Sequence, residues 1–81
     1  MSAEEIFKIM QALVAEEFVM NPESVTMETS FEDDLGANSV DLVELAMAME
    51  ERFEIGEVPE EDLAGLKTVG DAVRLLAEKL K

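Results

Sequence analysis

Cysteine, histidine, tryptophan and tyrosine are all absent from this chain of 81 residues, and each absence removes a class of function. Without cysteine there is neither a disulfide framework nor a thiolate zinc site, which fits a reducing compartment. Without histidine the commonest general base and metal ligand are missing as well. Basic residues are scarce: 6 Lys plus Arg against 20 Asp plus Glu leave a net charge of −14, which argues against a nucleic-acid partner. Long apolar runs are also missing. No stretch approaches a membrane span, and Met1-Ser-Ala-Glu-Glu-Ile carries acids where a secretory or transit peptide carries Lys or Arg. The expectation is a cytoplasmic protein without membrane insertion. At this length it should be a single domain over residues 1–81, monomeric and only modestly stable.

The charge is unevenly spread. Between Lys8 and Arg52 there is no basic residue, while the same interval carries Glu16, Glu17, Glu23, Glu28, Glu32, Asp33, Asp34, Asp41, Glu44, Glu50 and Glu51. Such a surface is either merely solvated or steers basic partners onto itself, and charge alone does not decide between the two.

Apolar periodicity predicts helices. From Ala3 to Phe18, the residues Ile6, Ile9, Met10, Leu13 and Val14 recur at helical spacing, with Glu4 and Glu5 where the helix dipole favours acids. The pattern breaks at Asn21-Pro22, so residues 19–37 read as a long loop fastened by Val25, Met27 and Phe31. A second helix starts behind Asn38, with Asp41 placed for a capping box, and runs to about Phe53. Pro59 with acids behind it opens a short third helix ending near Gly65. Thr68 and Asp71 cap a fourth, whose core stripe is Val69, Ala72, Val73, Leu76 and Leu80 and whose end suits Lys79 and Lys81. No segment alternates, so the fold class is all-α: a small four-helix bundle of three long helices and one short one.

The second helix carries two apolar rows. Leu42, Leu45, Ala46, Met49 and Phe53 share one stripe, the natural core face. Val40, Val43 and Met47 fall on the other side, rimmed by Asp41, Glu44, Glu50 and Glu51, the pattern of a partner-recognition surface. Ser39 occupies the first helical position, behind the flexible Gly36-Ala37 turn. Unpaired N–H groups and the positive end of the dipole there suit an attached phosphate. Catalysis does not suit it. No histidine can activate Ser39, Lys8 is the only base before Arg52, and the acids have little aromatic surface from which to build a pKa-shifting pocket. An EF-hand fails too, because a loop counted from Asp34 has Leu45 at the twelfth position where Glu is required. Weak divalent binding by the acidic surface is all that this composition supports.

The segment Asp34-Leu-Gly-Ala-Asn-Ser-Val-Asp-Leu-Val-Glu-Leu45 resembles the prosthetic-group attachment motif of acyl carrier proteins. The likeness extends through Thr29-Ser-Phe-Glu-Asp-Asp-Leu35, Met49-Glu-Glu-Arg-Phe53, Val58-Pro-Glu-Glu61 and Lys67-Thr-Val69, in order. It implies that Ser39 receives 4'-phosphopantetheine from coenzyme A through a phosphopantetheinyl transferase. The chain itself would then catalyse nothing and carry acyl groups as thioesters for fatty-acid, polyketide or related lipid synthesis. It also implies contact between Asp41, Glu44, Glu50, Glu51, Val40 and Met47 and the basic patches of acyl-processing enzymes. Phe31, Leu35, Leu45, Met49, Phe53 and Leu66 become candidates for lining an acyl pocket. Two positions depart from the pattern: Asn38 stands where the family usually has Asp, and Val40 where it has Leu. These departures bear on which enzymes the chain serves and suit a specialised carrier. From a different class, the alternative is an acidic helical adaptor that binds basic proteins and never uses Ser39.

Overall fold

The computed structural model describes residues 1–80; Lys81, expected to suit the end of the last helix, lies outside the described residues. Four α-helices follow in order, α1 (Ala3–Glu17), α2 (Ser39–Phe53), α3 (Glu60–Ala64) and α4 (Val69–Lys79), with one turn of 3-10 helix at Pro22–Ser24. The three longer helices begin alike. Ser2 with Glu5, Asn38 with Asp41 and Thr68 with Asp71 form reciprocal capping boxes, each satisfying two N–H groups that a helix start would otherwise leave unpaired. The expected boundaries of α2 and α4 hold to within a residue, because their stop and start signals are short-range chemistry. Among the described residues, no helix is long and apolar enough to cross a membrane.

The core forms where three apolar stripes meet. Ile6, Met10 and Val14 of α1 pack with Leu45, Met49 and Phe53 of α2 and with Val69, Ala72, Val73 and Leu76 of α4. Val25 and Phe31 reach in from the long loop. The main packing partner of α1 is α4, then α2, whereas α3 has no buried residue and touches α2 lightly. Leu42 departs from the expected stripe: it is only half-buried, because it forms part of a cleft wall beside α3.

The loop between α1 and α2 is held by backbone pairing that the sequence does not reveal. Gly70 N–H donates to the Met27 carbonyl at 2.8 Å, Val69 N–H to Thr29 at 3.0 Å, and Phe31 N–H to Lys67 at 2.9 Å. Ser30 and Thr68 thereby form an isolated antiparallel bridge. Thr29, the buried polar residue at this seam, accepts the Thr26 N–H through its Oγ1 at 2.8 Å. Gly70 is required by this approach, since a Cβ there would lie 2.9 Å from the Met27 carbonyl oxygen.

The end of α1 is strained. Phe18 N–H closes the last ordinary helical turn on the Val14 carbonyl at 2.9 Å, and Met20 N–H reaches back to the Ala15 carbonyl at 3.0 Å, the six-to-one bond of a helix terminus that turns through a left-handed residue. That residue is Val19, at φ +50° and 89% exposed, so a β-branched side chain occupies glycine's conformation and buries nothing in return. Val19→Gly is expected to stabilise the fold by about 0.5–1 kcal/mol, the relief of strain less the added chain entropy. Gly70→Ala should destabilise it by about 1–3 kcal/mol, through the clash with Met27. Thermal unfolding of both variants measures the pair; a midpoint lowered by the first or unmoved by the second contradicts this account.

Candidate functional site

Ser39 is placed by a turn and a cap working together. In the turn, Ser30 N–H donates to Asp34 Oδ2 at 2.7 Å, Asp33 N–H to Ser30 Oγ at 3.1 Å, and Ala37 N–H to the Phe31 carbonyl at 2.7 Å. Gly36, at φ +62°, supplies the left-handed step that reverses the chain into α2. The Asn38 side chain then accepts the Asp41 N–H at 2.9 Å, while Asn38 N–H donates to Asp41 Oδ2 at 3.1 Å. The cap serves the third helical residue, and the N–H groups of Ser39 and Val40 have no partner within the helix. Ser39 is exposed at this positive end of the helix, so its oxygen is accessible for modification and its surroundings favour a negative group.

A cleft of about 550 Å³ opens beside it, walled by the loop, the start of α2, α3 and the residues before α4. Phe31, Leu42, Leu63 and Leu66 give it apolar surface; Ser30, Asn38 and Ser39 are its neutral polar residues, and Glu32, Asp33 and Lys67 its charges. A smaller space of about 200 Å³ continues from Ser39 between α2 and α3, lined by Leu42, Val43, Glu60, Leu63 and Ala64. An exposed hydroxyl at the mouth of an apolar-floored cleft fits a long, flexible group attached through phosphate. It does not fit nucleophilic catalysis, because Lys67 is the only basic residue of the lining and no group is poised to take the serine's proton.

The candidate pocket residues fall into three places. Phe31 and Leu66 line the cleft, Leu35 is half-buried outside its walls, and Leu45, Met49 and Phe53 are buried in the core and form no part of the cleft. Leu42, Leu63 and Ala64 also line the cleft, although none of them was among the expected pocket residues. Leu63 and Ala64 sit on a five-residue helix with no full apolar repeat, so only the folded backbone brings them to Ser39.

The outer face of α2 is built as periodicity implies. Val40 is 62% and Met47 60% exposed, Val43 lies between them, and Glu44 and Glu51 are exposed beside them. Asp41 and Glu50 are half-buried and already engaged: Asp41 closes the capping box, and Glu50 Oε2 accepts the Val58 N–H at 2.8 Å, fixing the chain that leads into α3. A groove of about 460 Å³ continues the apolar row toward Val58 and Leu63, with Glu50, Glu57 and Glu60 also lining it.

Sequence reading did not place Glu17 at this corner. Its carboxyl meets that of Glu44 across the α1–α2 seam, and the shared hydrogen bond and like charge hold its pKa above the ordinary 4.5. The folded chain therefore binds that proton more readily than the unfolded chain. The contact costs stability above the raised pKa, and the cost fades as pH falls through it. Asp71 acts in the opposite sense: its carboxyl is held low by Arg74 and by the Thr68 cap, and its contribution is lost as pH falls through the lowered pKa. Glu17→Gln is expected to raise the thermal midpoint at pH 7 and to lose that advantage below about 4.5, the ordinary value of the group. The Asp71 contribution is common to both proteins and cancels. Parallel melts across this pH range test the assignment, and equal midpoints throughout would refute it.

Residues 8–76 match the protein family described as phosphopantetheine attachment site. Acyl carrier proteins from Clostridium perfringens strains SM101 and 13 are each 47% identical to the chain over 73 residues, covering 90% of it and 95% of the relative. The solved structure of the acyl carrier protein from Enterococcus faecalis superposes with a TM-score of 0.78 at 28% identity, over 98% of this chain and 99% of that one.

Proposed function

The chain belongs to the acyl carrier protein family, the non-catalytic carriers of fatty acid biosynthesis, and from that premise we propose that Ser39 is its phosphopantetheine attachment residue within a carrier domain of residues 1–81. The observation that carries this reading is an exposed Ser39 at the first position of α2, beside the apolar-floored cleft. Ser39 would take the group as a phosphodiester from coenzyme A, its oxygen bonding to the phosphorus next to the arm as the pyrophosphate bond breaks and adenosine 3',5'-bisphosphate leaves. The group supplies a terminal thiol for an acyl thioester, sulfur chemistry that a chain with no cysteine does not have.

The protein's own residues do three things. Asn38 and Asp41 fix the helix start so that the serine oxygen faces outward. The free N–H groups of Ser39 and Val40 favour the negative charge placed there. Phe31, Leu42, Leu63 and Leu66 offer apolar cover to whatever is attached, and a longer acyl chain would reach Leu45, Met49 and Phe53 only by parting α2 from its neighbours. The flexible side chains of the buried Met10 and Met49 ease such parting. Partners are a phosphopantetheinyl transferase and acyl-processing enzymes with basic patches, in the cytoplasm. They dock on Val40, Met47, Glu44 and Glu51, with the half-buried Asp41 and Glu50 adding charge to the same face.

Incubation with coenzyme A and a broad-specificity phosphopantetheinyl transferase is expected to add the mass of one arm, and Ser39→Ala to abolish the gain. No gain with a transferase proven on another carrier favours the acidic adaptor instead. Glu44→Lys and Met47→Ala are each expected to lower the kcat/KM of that transfer by about fivefold or more, the equivalent of about 1 kcal/mol of interface contact, with an unchanged helical spectrum. Full activity of both variants would move the docking surface elsewhere.

A further inference from the structure

The cleft beside Ser39 is electrostatically lopsided. With only 6 basic residues against 20 acidic ones in the chain, a cation near the serine is not expected from composition. Yet Lys67 lines the same cleft as Ser39 and Asn38. Its backbone is fixed on both sides: the carbonyl accepts the Phe31 N–H at 2.9 Å, and its N–H donates to Asp71 Oδ2 at 3.1 Å. Its side chain is exposed and takes part in neither ion pair found among the described residues, which join Arg74 to Asp71 and Lys79 to Asp62. The ammonium is thus anchored at its base and uncommitted at its tip. The other charges lining the cleft are Glu32 and Asp33, both on the loop turn.

We propose that Lys67 draws the phosphodiester of an arm on Ser39 away from the Glu32-Asp33 turn, so that the arm is laid over Leu66 and Leu63 on the α3 side of the cleft instead of projecting freely into solvent. The inference rests on attachment at Ser39 and adds a direction to it. A phosphodiester carries a full negative charge wherever the arm points, so the charges around the cleft bias its orientation. Attraction by Lys67 and repulsion by Glu32 and Asp33 act in the same sense. Asn38 strengthens the bias through what it lacks. It caps α2 through its amide oxygen while adding no negative charge beside the serine, so the phosphodiester meets no repulsion from the residue next to its own anchor. The apolar side chains beyond Lys67 then give the uncharged part of the arm a surface on which to rest.

Heteronuclear spectra of the 15N-labelled full chain, before and after loading by a phosphopantetheinyl transferase, test this without any enzymatic readout. Loading is expected to shift the amides of residues 63–67 as well as those flanking the serine at 38–42. In Lys67→Glu the shifts at 63–66 should shrink by about two- to fivefold, the effect of an exposed ion pair worth up to about 1 kcal/mol, with those at 38–42 unchanged. Unmoved amides at 63–67 in the unsubstituted chain, or shifts that persist in full in Lys67→Glu, overturn the proposal. Lys67→Gln carries the same test should the charge reversal disturb folding. Intact mass separates the two layers of inference. No added mass, or mass gained equally by Ser39→Ala, overturns the attachment residue, whereas clean loading followed by unaltered spectra overturns only the part given to Lys67.

Discussion

The structure depends on the backbone seam that joins residues 27–31 to residues 67–70. Three hydrogen bonds of 2.8 to 3.0 Å fasten the long loop to the start of α4. Without them, residues 19–37 would be an irregular segment with little of its own to hold it in place. With them, Phe31 is driven into the core, and the turn that carries Gly36 to Asn38 starts from a fixed point. Ser39 is therefore positioned by tertiary pairing as much as by its own helix. The same seam sets Lys67 and Leu66 opposite the serine, which is why a cleft exists there at all. Gly70 is the narrowest point of the arrangement, because nothing larger allows α4 to approach the Met27 carbonyl.

Charge works against this small fold. A net charge of −14 on 81 residues is self-repulsion, felt most directly where Glu17 meets Glu44 with no cation between Lys8 and Arg52 to relieve it. The strained Val19 lies two residues beyond Glu17, so the end of α1 carries both an unfavourable charge contact and an unfavourable backbone conformation. Neither improves stability. The Glu17–Glu44 contact lies beside the face of α2 proposed for partner docking, where a dense negative field speeds encounter with basic surfaces. The capping boxes and three interlocking stripes bear this load, and the lightly packed α3 does not.

What could be read from the sequence was local. The two faces of α2, its Asn38 cap and the Thr68 cap of α4 follow from residue spacing and short-range hydrogen bonding, and apart from the half-buried Leu42 the folded chain has them where the spacing places them. The motif around Ser39 was read instead from its resemblance to the family that residues 8–76 match. The loop pairing was not, because an isolated bridge of Ser30 with Thr68 has no alternation to betray it. Nor were the cleft walls, since Leu63, Ala64 and Lys67 come to the serine only through that pairing and the short α3. Pocket residues inferred from resemblance alone divided accordingly: Phe31 and Leu66 lie at the cleft, while Leu45, Met49 and Phe53 are ordinary core until something parts the helices.

Asn38 shows how one position can be neutral for the fold and consequential for the site. As a cap, Asn and Asp are nearly equivalent, because either presents an oxygen to the Asp41 N–H, and the reciprocal bond from Asp41 is untouched. As a neighbour of a modified serine they differ by a full charge. An Asp would add repulsion toward a phosphodiester on the very next residue and would deepen the acidic field that partners meet. For a group on Ser39, Asn would leave the free N–H groups of the helix start and Lys67 as the positive influences at the cleft, with Glu32 and Asp33 as its negative ones. On the proposed attachment at Ser39, Asn38 would leave control of the attached group to the cleft rather than to the cap. Partner enzymes that rely on a charge at this position would find it missing, and those that grip Glu44, Glu51 and the Val40 to Met47 row would find their surface intact.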